Sequence, residues 1–97
     1  MDKFDANKLI QERAMSRGSF LEVAKTAQEL KRFSRTTAHT TPFECAEQEA
    51  IDNICTKIAR IVNRKSLYDL DSWQDIAGYA TLVVNLIKKQ ESNNEAE

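Results

Sequence analysis

Carboxylates are the residues in this chain whose spacing could do chemistry. Glu49 and Asp52 stand three apart, and Asp71 and Asp75 stand four apart. On a helix either spacing stacks the two acids on adjacent turns of one face. Two such helices facing each other could offer four hard oxygen ligands to Mg²⁺ or Mn²⁺, which is how metal sites in helical bundles are built. Lys57 and Arg60 follow the first pair by one to two turns, where they could take a phosphate, Arg60 in bidentate fashion. Each residue also has a plainer reading. Glu49 and Asp52 suit a solvated helix face, Asp71 a helix cap, and Lys57 and Arg60 ion pairs with neighbouring acids. Asp75 suits the positive end of a helix dipole, but its helical angle is shared with Tyr79, Leu82 and Leu86. If that flank is buried, the carboxylate needs a cation, a metal or several donors.

Other chemistries lack their residues. There is no Ser/His/Asp set, no Cys/His pair with an orienting partner and no glycine-rich phosphate loop, so no residue is assigned a catalytic role. His39 has no Cys or His at ligand spacing and reads as a loop residue. Cys45 and Cys55 fall on one helix about 15 Å apart at 1.5 Å per residue, beyond disulfide reach, and should be free thiols. Trp73 and Tyr79 sit on an apolar helical stripe, which makes them core rather than base-stacking residues.

The net charge of −1 conceals blocks of alternating sign. Basic residues dominate from Arg13 to Arg35, and all charges from Glu44 to Asp52 are acidic. Lys57, Arg60, Arg64 and Lys65 reverse the sign, Asp69, Asp71 and Asp75 reverse it again, and the tail carries Glu91, Glu95 and Glu97. Direct nucleic-acid binding is not expected, since no basic excess survives summation and no aromatics interleave with the basic residues. The blocks suit pairing within the chain or between subunits, or a divalent metal with an anionic ligand.

The elements that must position these residues are helices. The chain has 2 Gly and 1 Pro in 97 residues, too few for turn-rich β architectures, and no apolar run approaches the roughly 20 residues of a membrane span. Ser19-Phe-Leu-Glu22 and Thr41-Pro-Phe-Glu44 are capping boxes, the second with proline at the first helical position. Asp71 or Ser72 caps the last helix. The expectation is an all-α, antiparallel, four-helix bundle-like domain over 1–90, with helices at about 5–16, 20–34, 42–63 and 72–90, and a flexible acidic tail over 91–97. The short 64–70 connection should make the third and fourth helices antiparallel neighbours. The fourth is apolar on two flanks, so it is either central to the bundle or shared with another copy in a homo-oligomer, a dimer or higher. The first ten residues, MDKFDANKLI, lack a signal-peptide pattern, which makes a reducing cytoplasm the expected location.

Three segments carry a resemblance: Arg17-Gly-Ser-Phe20, Glu49-Ala-Ile-Asp-Asn-Ile-Cys-Thr-Lys-Ile-Ala-Arg-Ile61 and Asp71-Ser-Trp-Gln-Asp-Ile-Ala-Gly-Tyr-Ala-Thr-Leu82. They resemble a family of small phage and prophage proteins with patterns such as HGDF, EALDxIxxKIARI and DxWxDIAGYATL, over about Arg13 to Leu86. That family is distantly similar to the MazG-type all-α nucleoside triphosphate pyrophosphohydrolases, whose ExxE and ExxD helices hold Mg²⁺ against a triphosphate. The resemblance implies Glu49 and Asp52 as one acidic pair and Asp75 as the acid of the other, with Asp71 at a different spacing. Arg17 and Ser19 stand where the pattern often has histidine and aspartate. Two functions are therefore expected in parallel. One is metal-dependent nucleotide binding with hydrolysis to the monophosphate and pyrophosphate. The other is a non-catalytic protein, acting in the host cytoplasm if phage-encoded, that blocks a host factor or sequesters a nucleotide.

Overall fold

The computed structural model describes residues 5–35 and 41–96, and His39 lies outside them. Four helices follow in order, α1 (Ala6–Arg17), α2 (Phe20–Ser34), α3 (Pro42–Asn63) and α4 (Leu70–Ala96), with no strand among the described residues. The all-α expectation holds, and the bounds of α2 and α3 are those expected.

Local chemistry starts each helix. The Asp5 carboxylate accepts from the amides of Asn7 and Lys8 at 3.0 and 3.2 Å, capping α1. Ser19 Oγ accepts the Glu22 amide at 3.2 Å and Thr41 Oγ1 accepts the Glu44 amide at 3.1 Å, as both capping boxes require. The Thr41 hydroxyl also donates to Glu44 Oε1 at 2.8 Å. Between α1 and α2 the chain turns at Gly18, whose φ of +85° is open to glycine at little cost. A Cβ there would collide with the backbone carbonyl of Asn63 at the end of α3. The same residue that frees the turn thus lets α3 approach it.

The cap of α4 differs from the expectation. Asp69, not Asp71 or Ser72, accepts the Ser72 amide at 3.1 Å, and its backbone carbonyl takes the Trp73 amide at 3.4 Å. Asp71 falls in the first turn and is exposed, while Ser72 is buried. The other end differs as well. The helix continues through Ala96, over most of the segment expected to be a tail, with Gln90, Glu91 and Asn94 lining a cleft against Thr41, Pro42 and Phe43.

Contacts across the helices give their directions. Asn63 donates to Thr26 at 3.1 Å, and Ser34 and Cys55 meet at 3.6 Å, so α2 and α3 run antiparallel. Lys57 meets Asp75 near the start of α4, whereas Pro42 lies level with Gln90, so α3 and α4 are antiparallel too. α3 is the central helix, with α2 and α4 along it and α1 touching it more lightly. The core is built from small side chains: Val23, Ala27 and Ala59 form its centre, Ala59 being fully buried. Among the described residues no large side chain is fully buried. Both cysteines are free, Cys45 exposed and Cys55 buried.

Candidate functional site

Folding the chain back on itself brings blocks of opposite charge together at two places. Asp52 of α3 meets Arg35, just past α2, at 3.5 Å, and its other oxygen accepts from Gln48 Nε2 at 3.0 Å. Asp75 of α4 meets Lys57 of α3 at 2.9 Å. The lysine side chain is 16% exposed and the aspartate 49%. Asp75 is therefore half exposed rather than buried, because its flank lies at the solvent edge, with Leu82 itself 60% exposed. Glu49 is exposed and accepts from Asn53 Nδ2 at 3.1 Å.

The four acids do not gather around one point. Glu49 lines the α3–α4 groove with Asn53, Tyr79 and Lys89, whereas Asp52 turns toward the end of α2. Asp75 sits level with Lys57, about 7.5 Å along α3 from Asp52 at 1.5 Å per residue. Asp71 is exposed in the first turn of α4. Among the described residues no group of three His, Cys, Asp or Glu side chains is disposed to hold a metal ion. A metal at Asp52 or Asp75 would have to displace a cation already in place. Within one chain the described acids are held apart, two of them in ion pairs, rather than gathered as three or more ligands.

Of the two expected phosphate ligands, Lys57 is taken by Asp75, and Arg60 points elsewhere. It lines a groove of about 510 Å³ between α1, α2 and α3. Arg13 from α1 and Lys31 from α2 line the same groove, with Gln28 and Thr56 as neutral polar groups and Val23, Ala24 and Ala27 as the apolar wall. No Asp or Glu is among its lining residues. Lys31 and Arg60 are both partly buried, and neither forms an ion pair with an acid among the described residues. Helical spacing explains the wall: Val23, Ala27 and Lys31 recur every four residues along one edge of α2, with Ala24 and Gln28 beside them. Single-helix reasoning finds Arg60 but misses Arg13 and Lys31, since they join it only through packing. The excess of basic residues from Arg13 to Arg35 was the available signal.

Trp73 is also placed differently from the expectation. It is 57% exposed on the outer side of α4 and forms no part of the core, while Tyr79 is half-buried against α3. No family model matches the chain, and no curated protein or solved structure matches it.

Proposed function

We propose that the protein is a non-catalytic binding protein that holds a phosphorylated ligand of the nucleotide class in the groove between α1, α2 and α3. The observation that carries this reading is the lining: three cations around an apolar wall, with no acid among them. Guanidinium and ammonium groups neutralise phosphoryl oxygens, with the guanidinium of Arg60 suited to a two-point contact. Val23, Ala24 and Ala27 offer an apolar surface to the flat body of such a ligand. Sequestration rather than hydrolysis is supported by the ion pairs at Asp52 and Asp75, which occupy the two carboxylates a metal-dependent reaction would call on.

Calorimetric titration with a deoxynucleoside triphosphate, with and without Mn²⁺, tests the reading. Binding should not require the metal. It should weaken at least tenfold in Arg60→Gln and in Lys31→Gln, fall as salt rises, and persist in Asp75→Asn. Release of pyrophosphate, or Mn²⁺ binding lost in Asp75→Asn, would replace it with the metal-dependent hydrolase. No heat with any nucleotide would remove both.

A further inference from the structure

One face of α4 is open to solvent and has the spacing of a helix–helix seam, with Ile87 at its edge also lining the cleft beside Thr41, Pro42 and Phe43. Leu70, Trp73, Ala77, Ala80, Val84 and Ile87 are separated by three and four residues in strict alternation. All six are exposed: the four large side chains keep 66, 57, 46 and 38% of their surface in water. At 100° per residue they occupy an arc of about 100°, centred about 110° round the helix from the side that packs on α3. That inner side is carried by Ser72, Ile76, Tyr79, Val83 and Leu86, all buried or half-buried. The alternating spacing is the 3.5-residue repeat that keeps two helices in register as they wind together.

We propose that this face is covered by a second copy of the chain, with the two α4 helices packed antiparallel about a two-fold axis level with Ala77 and Ala80. Residue sizes suit that axis. It sets Ala77 opposite Ala80, where two small side chains let the helices approach closely, Trp73 opposite Val84, and Leu70 opposite Ile87. Charge along the helix selects the direction. Asp69, just before the helix, and Lys88, toward its end, lie at the two edges of the seam, whereas Asp71 and Lys89 fall on the opposite side of α4. An antiparallel pair brings Lys88 of one copy level with Asp69 of the other and opposes the two helix dipoles, while a parallel pair sets like against like. The contact is the same patch on both copies and so closes at two. The six side chains expose on the order of 400 Å² per copy, which with the flanking polar residues approaches the roughly 800 Å² per partner of a specific interface. The seam lies on the far side of α3 from the basic groove, and this proposal does not rest on that reading.

Light scattering and sedimentation at tens of micromolar should give twice the 11.1 kDa chain mass. Ala80→Arg should give the monomer with unchanged circular dichroism, since the side chain is exposed in its own chain. Orientation is read by cross-linking in a Cys45→Ser background: Leu70→Cys chains mixed with Ile87→Cys chains should oxidise to a mixed dimer, and neither alone should. A monomeric native chain, a dimer unaffected by Ala80→Arg, or Leu70→Cys chains that cross-link to themselves would overturn it.

Discussion

At the scale of the residue, Gly18 and the Lys57–Asp75 pair show how much one position can depend on a distant element. Gly18 is constrained twice, by its positive φ and by the Asn63 carbonyl that fills the space a Cβ would take. Gly18→Ala should lower stability by about 2 kcal/mol or more, seen as a lower midpoint in thermal melting. Ala at an exposed mid-helix glycine behaves oppositely. Nothing lies within 4 Å of a Cβ placed at Gly78, so Gly78→Ala should raise stability by about 0.5–1 kcal/mol through helix propensity. The ion pair calls for a double-mutant cycle rather than a single change. With Asp75 half exposed, Lys57→Met and Asp75→Asn should show a coupling of about 0.5–1 kcal/mol, and a coupling near zero would mean that the contact is incidental.

At the scale of the element, the caps decide where helices start, and sequence spacing finds them only when one candidate is available. Ser19 and Thr41 were legible because each opens an unambiguous box. At α4 three residues, Asp69, Asp71 and Ser72, all have capping chemistry, and tertiary packing chose among them. Ser72 faces inward and is buried, which leaves Asp69 one turn earlier as the residue whose carboxylate can reach its amide. Asp69→Ala should therefore cost about 1 kcal/mol and Asp71→Ala only a few tenths, a difference readable in urea denaturation. The far end of α4 runs beyond the expected position for a related reason. Residues 91–96 contain only polar side chains and one alanine, which reads as a tail, yet no glycine or proline interrupts them. Contact with Thr41, Pro42 and Phe43 is available to continue the helix.

At the scale of the whole molecule, the arrangement is open. The radius of gyration is 17.2 Å, against about 12.5 Å for a compact chain of this length, and the extents are 56 × 34 × 26 Å. α3 is covered on two sides, whereas α4 is covered on one. X-ray scattering from the Ala80→Arg chain should give about 17 Å; a value near 13 Å would mean that α4 folds back to close the bundle and buries its own seam.

Helix content, three of the four helix beginnings to within a residue, and the free state of both thiols were all determined by the chain itself, because capping, periodicity and the rise per residue are local. The charge blocks belong with them: their alternation foretold the Arg35–Asp52 and Lys57–Asp75 pairs in kind, though not residue by residue. Which flank of α4 faces α3 was not local. Both flanks are apolar, and only the packing of Tyr79, Val83 and Leu86 on α3 turned Trp73 outward and left Asp75 at the water's edge. The groove is likewise a product of tertiary structure. Arg13, Lys31 and Arg60 come from three helices, and no periodicity within one helix relates residues that meet only when all three have packed.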